Sequence, residues 1–322
     1  MDLEGVPKGD IEVTEKKEKT DALGWLRAVG LALLVTVLWS SSWVIIKFGL
    51  EELPPVTFSG LRYTIAAVIL LGVIASRVDL RVSVRSQRRD WWAQITIYGI
   101  VFVAVTQGAQ FVGLALLEAI TVSMLLNLTP MVVLVLGVFL LRERPASTQI
   151  AWIVLSVIGV FLYFHPVSLA GAEMLGLLVV VCGVIANAFS SIIGRAINRE
   201  KRAPSVVVTG MSMAIGSALL LLAGLLLEGP VAISPLSWFY ILWLSVVNTA
   251  FAFTLWNKAM QTLRAIDTTL INSTMLPQIV VLSILFLGEM PDVLDWIGLI
   301  LIGLSVAAVQ ISQARKASEE DG

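Results

Sequence analysis

The chain has 322 residues, of which 57% are apolar and only 14% charged, with a mean hydropathy of +0.90. Soluble domains carry about 25% charged residues, so a water-soluble enzyme of one or two domains is excluded. So is intrinsic disorder of the whole chain, which needs low hydrophobicity. The net charge of −1 points to no nucleic-acid partner, and with one cysteine (Cys182) and one histidine (His165) no intrachain disulfide and no Cys- or His-rich metal site is expected.

Residues 1–24 mix Asp, Glu and Lys with no apolar run and read as a solvated, disordered cytoplasmic tail, not a secretory signal. Membrane-length stretches follow. Crossing ~30 Å of hydrocarbon takes about 20 residues of helix. Ten such spans occur: 27–46, 55–75, 91–113, 118–141, 147–164, 174–196, 204–227, 236–257, 267–288 and 293–312. Runs such as Leu219 to Leu222 do not alternate apolar and polar, which argues against a transmembrane barrel. In lipid the backbone must satisfy its own hydrogen bonds, so the spans are helices. Residues 313–322 form a second short polar tail. The expectation is an all-α integral membrane protein with ten transmembrane helices.

Cytoplasmic loops collect Lys and Arg. With the N-terminus inside, every basic residue except Lys47 and Arg62 falls on the cytoplasmic side, including Arg77, Arg81, Arg85, Arg88 and Arg89 after span two. The opposite loops hold Glu51, Glu52, Glu118, Glu173, Glu228, Glu289, Asp292 and Asp295. Both termini are therefore expected in the cytoplasm. Reporter fusions in the loop after span two should report cytoplasm; a periplasmic signal there inverts this topology.

The segment Ser123–Glu143, SMLLNLTPMVVLVLGVFLLRE, returns as Asn272–Glu289, NSTMLPQIVVLSILFLGE, so that Pro130 aligns with Pro277 and Glu143 with Glu289. A weaker match pairs Trp39–Lys47 with Asn187–Arg195 at nearly the same offset. Spans one to five (residues 25–164) therefore repeat as spans six to ten (165–312). Five is odd, so the second copy is inverted. The charges agree, since the basic loops after spans two and four have mates without Lys or Arg after spans seven and nine. Inverted repeats around a midplane cavity belong to carriers that work by alternating access.

The segments Trp39–Tyr63, Pro130 to Glu143, Asn248–Met260, Thr274–Glu289 and Ile297–Gly303 together resemble the EamA-type members of the drug/metabolite transporter superfamily. The resemblance covers nearly the whole chain outside its tails. It implies a ten-helix inverted-repeat carrier, often an exporter of amino acids or similar metabolites; the short tails and the lack of an organelle signal fit a plasma (inner) membrane. The first copy departs from the pattern at Trp152, where the second has Gly298.

Polar groups inside lipid are expensive and usually face the bundle interior. The candidates for a solute cavity are Trp39, Ser42 and Trp43 on span one, Gln107 and Gln110 on span three, Asn127, Asn187, Asn248 and Asn272. Gln107 and Gln110 are i, i+3 and should share a face. The same residues read equally as interhelical glue. Trp243 is expected to face Trp39 and Trp43; Trp25, Trp91, Trp92, Trp238, Trp256 and Trp296 read as interface anchors. Arg62, about 10 Å below Pro55, either snorkels and pairs with Glu51 or Glu52, or contacts a substrate carboxylate. Lys47 and its repeat mate Arg195 read as residues of opposite interfaces. Pro130 and Pro277 each remove a helix hydrogen bond and are candidate hinges. Gly298 and Gly303 read as close-packing residues.

No phosphate-binding loop occurs, and no Asp or Glu sits in mid-span, so facilitated diffusion or exchange is the simplest drive. A proton-coupled drug exporter and a lipid-linked flippase are the alternatives. No cofactor is expected. A membrane enzyme lacks its Asp cluster or paired His, and a scaffold has no need of these polar groups. The expected partners are a small-molecule solute and the bilayer, with a homodimer left open.

Overall fold

The structure is a computed structural model that describes residues 8–141, 147–165, 171–263 and 265–320. The described residues form helices throughout: α1 Lys8–Gly49, α2 Pro55–Ser76, the short α3 Val78–Arg85, and α4 Arg89–Leu116. Then come α5 Ala119–Asn127, α6 Thr129–Leu141, α7 Ser147–Tyr163, α8 Ala172–Arg199 and α9 Ser205–Leu227. The last four are α10 Pro235–Met260, α11 Ala265–Ser273, α12 Met275–Leu287 and α13 Val293–Glu320. Span four is α5 with α6, and span nine is α11 with α12.

Among the described residues nine spans are long and apolar enough to cross a membrane. The expected fifth span is α7, an apolar helix of 17 residues, about 26 Å long. Helix also extends beyond the expected tail boundaries, beginning at Lys8 and ending at Glu320. Glu and Lys are strong helix formers, and the charged stretch from Lys8 is continuous with α1.

The helices pair as α2 with α9, α7 with α13, and α5 with α12. Further pairings are α4 with α8 and α1 with α10, α5 and α6 with α8, and α1 with α12. Exchanging each span with the one five places later leaves these pairings unchanged. Missing side chains let the backbones meet. A Cβ on Gly60 would sit 2.7 Å from the Leu221 Cα across α2 and α9, and one on Gly298 would sit 2.6 Å from the Gly159 carbonyl oxygen across α13 and α7. Gly303 differs, because its Cβ would meet only Leu276 Cδ2, at an ordinary 3.8 Å. It is not a close-packing glycine.

Two departures from α geometry recur in both halves. Spans three and eight each contain a π stretch, Ile100–Gln107 and Val246–Phe251. Such wide turns are rare and cluster at functional sites. In each, a threonine hydroxyl takes a carbonyl five residues back: Thr106 donates to Val101 O and Thr249 to Leu244 O. Spans four and nine break at single residues before their prolines, Leu128 (φ −74, ψ −7) and Thr274 (φ −72, ψ −12). Pro130 cannot donate to Leu126 O, and the Thr129 hydroxyl does so instead at 2.7 Å.

Candidate functional site

A cavity of about 400 Å³ lies between α1, α4, α5, α6, α8, α11, α12 and α13. It gathers five of the expected polar and aromatic residues: Trp43, Gln110, Asn127, Asn187 and Asn272, together with Pro130. The α5–α6 break places Asn127 at a helix end. Asn127 donates to Ser123 O at 2.9 Å, and Asn187 crosses from α8 to Thr129 Oγ1 at 3.0 Å. Thr129, Ser191, Arg195 and Gln310 complete the polar wall. Arg195 is exposed, and among the described residues it pairs with no carboxylate. Among the described residues no Asp or Glu lines the cavity. The site therefore offers amides, hydroxyls and one guanidinium beside an indole ring.

The other expected residues take structural partners. Trp39 packs on Phe253 and Trp256, with centroids 5.5 and 5.2 Å away. Ser42 accepts from the Asn248 amide at 2.9 Å, and the same amide donates to Ser41 Oγ and Leu38 O. Gln107 accepts from the Tyr63 hydroxyl at 2.7 Å. Gln107 and Gln110 thus meet different neighbours despite their i, i+3 spacing, Tyr63 for the one and the central cavity for the other. Pro277 lines a separate groove on α12.

Three readings from sequence are corrected. Arg62 neither snorkels nor pairs with Glu52. It is 6% exposed, donates to Thr249 Oγ1 at 3.4 Å, and lies 5.1 and 5.9 Å from the Tyr63 and Phe111 ring centroids. Its Nε has no hydrogen-bond partner among the described residues. Glu52 instead accepts from the hydroxyls of Ser234 and Ser237, which hold its carboxyl below the usual range. Trp243 is 40% exposed and packs on Phe239, away from Trp39. Trp91 is fully buried and packs edge-on against Trp92.

The acidic end of the bundle is held by carboxylates on helix N-termini, where unpaired N–H groups and the helix dipole favour negative charge. Glu228 accepts from Val56 N and Thr57 N at 3.0 and 2.7 Å. Glu289, expected as an interface residue, is 8% exposed and accepts from Ala119 N and Ile120 N at 2.7 and 2.9 Å. Glu143, its repeat mate, lies outside the described residues. Lys47 donates to Leu117 O at 2.7 Å, and the Tyr163 and Thr121 hydroxyls are 2.8 Å apart.

These groups border a second cavity of about 560 Å³, lined by Lys47, Glu118, Thr121, Tyr163, His165, Glu173, Asp292 and Asp295 among others. Trp43 and Lys47 are four residues apart on α1, so one helical turn, about 6 Å, separates the two cavities. The Lys47–Leu117 and Thr121–Tyr163 bonds cross that layer. Burial raises the Glu118 carboxyl above its ordinary 4.5, with neighbouring Glu289 adding to the effect and Lys47 opposing it. No group of three or more His, Cys, Asp or Glu among the described residues is placed to hold a metal.

Residues 26–165 and 174–310 each match the sequence profile of the EamA-like transporter family. A protein of Escherichia coli named probable amino-acid metabolite efflux pump is 31% identical over 207 residues, 62% of this chain and 64% of its own. Its Salmonella typhimurium counterpart matches equally. The match thus spans less than two thirds of these relatives. An uncharacterized transporter of Archaeoglobus fulgidus is 24% identical over 89% of this chain and 97% of its own. A solved crystal structure, 21% identical, superposes with a TM-score of 0.62 over 90% of this chain and 98% of its own, a likeness of fold alone.

Proposed function

The chain belongs to the EamA-like transporter family, a family of integral membrane transporters, and from that premise we propose that it exports amino acids or related amphipathic metabolites by alternating access. The observation that carries the substrate class is the lining of the central cavity. Amides and hydroxyls there suit the amine and carboxyl groups of a solute, the exposed guanidinium of Arg195 suits its carboxylate, and the Trp43 ring suits its apolar part. A lining without described carboxylates suits a solute with at least one negative group. The names of the Escherichia coli and Salmonella relatives point the same way.

In this reading the chain crosses the plasma membrane ten times as two inverted repeats, with both termini and Arg195 on the cytoplasmic side. The layer bonded by Lys47–Leu117 and Thr121–Tyr163 is the closed external gate. The breaks at Leu128 and Thr274 are the hinges, with Pro130 and Pro277 preventing the helices from closing over them. Proteoliposomes loaded with neutral and anionic amino acids test this directly. Efflux is expected, and Arg195→Gln should raise the KM for carboxylate solutes about tenfold, the scale of one charge-assisted hydrogen bond. Methyl esters of the same amino acids should show no such sensitivity. Equal loss for acid and ester removes Arg195 from the site.

A further inference from the structure

The central cavity has a neighbour on the lipid side. A groove of about 340 Å³ runs between α12 and α13, walled by Leu276, Pro277, Val280, Leu299 and Val306. Its flanks Val281, Trp296, Ile300 and Leu304 are among the exposed large apolar side chains, and in a membrane they face acyl chains. At its inner end stands Asn127, which also lines the central cavity. Ser273 is the other polar residue of the groove, next to the cavity residue Asn272. Two sequence features open it. Pro277 sits where the helix break lets α12 turn from α11, and Gly303 supplies no side chain. Gly303 is not needed for helix contact, because a Cβ there would touch only Leu276 at 3.8 Å, whereas the Gly159–Gly298 crossing admits no side chain. Ser273 is already bonded to Thr269 O and Gln310, at 2.9 and 3.0 Å, so Asn127, which lines both spaces, is the polar group that the groove and the cavity share.

We propose that this groove is a lateral subsite for the hydrocarbon chain of a transported amphipath whose polar head lies in the central cavity against Asn127. The occupant is a solute with an amide or carboxylate head and a flexible chain of several carbons, such as a medium-chain N-acyl amino acid, and it exchanges with the bilayer between α12 and α13. The proposal rests on the transport reading above and narrows it. The polar compartment reads the head, and the groove reads chain length.

The test uses the full chain in proteoliposomes, with N-decanoyl-alanine and N-acetyl-alanine as paired solutes. A diazirine at the end of the decanoyl chain serves as the label. The wild type is expected to crosslink on α12 and α13, at positions such as Val281 and Ile300, and unlabelled N-decanoyl-alanine should compete. Gly303→Leu should lower decanoyl transport at least tenfold and change acetyl transport less than twofold. Val281→Trp narrows the same groove from its exposed rim, so a folding defect at Gly303 does not decide the result. Equal loss for both solutes, or none for either, overturns the subsite. A phospholipid acyl label on the same residues that N-decanoyl-alanine cannot displace makes the groove a lipid site and also overturns it. If the wild type moves neither solute, the transport reading fails, and the crosslinking pattern alone decides the groove.

Discussion

Spans four and nine share a backbone and differ in surroundings. Each breaks at one residue with nearly the same dihedral angles, just before a proline. Yet Pro130 lines the polar central cavity and Pro277 the apolar groove. The residue after the proline marks the difference. Gln278 in span nine donates to Thr36 and Thr274 and accepts from Ser40, which fastens α12 to α1. Met131 stands at that place in span four and is merely buried in the core. There the polar link to the opposite half is the Asn187–Thr129 bond, from the α8 side. Duplicated sequence thus reproduces the break, while single exchanges after it decide which span is tied to α1 by hydrogen bonds and which presents its proline to the polar cavity.

The largest expected effect breaks the tie between the two spans. Glu289 follows span nine and holds the first N–H groups of span four. Glu289→Ala should destabilise the protein by about 2–3 kcal/mol, since two buried N–H donors lose a charged acceptor. Thermal unfolding in micelles measures this, and a loss below about 0.5 kcal/mol refutes the buried clamp.

Gln278→Met makes span nine resemble span four at the decisive position. It should cost about 1–2 kcal/mol by leaving the Thr36 and Ser40 hydroxyls without Gln278. In proteoliposomes its solute affinity should change less than that of Asn127→Leu, which alters the cavity wall and should weaken binding about tenfold, or 1.4 kcal/mol. The reverse ranking places the site on the span-nine side.

The smallest effect concerns Glu118, at the start of span four. Its carboxyl is raised in the folded protein by burial and by Glu289. Between the ordinary 4.5 and that raised value the folded state holds more protons than the unfolded one, so stability should fall as pH climbs through this window and level off above it. Glu118→Gln should flatten the melting profile there. An unchanged profile means that folding does not raise the Glu118 carboxyl.

The membrane helices were legible because apolar runs of membrane length leave the backbone one solution. The proline breaks were legible for a similar reason, since a missing N–H is written in the chain. The π stretches were not, although Thr106 and Thr249, each able to take a released carbonyl, are a signal visible afterwards. The site was half legible. Asn127, Asn187, Asn272, Gln110 and Trp43 converge, whereas Arg62, Gln107, Asn248, Ser42 and Trp39 are engaged by neighbours from spans one, two, three and eight.

By itself, the sequence determined that this chain lives in lipid, that it is built of helices, and that its two halves are related. Each of these follows from the cost of exposing polar backbone to hydrocarbon and from local covalent facts. Only the tertiary structure decided which polar side chains are spent on packing and which face a cavity, where Glu289 and Glu228 are aimed, and that Gly303 leaves a groove open. Those outcomes depend on contacts between residues far apart in sequence, and no local pattern encodes the partner that will satisfy a buried donor.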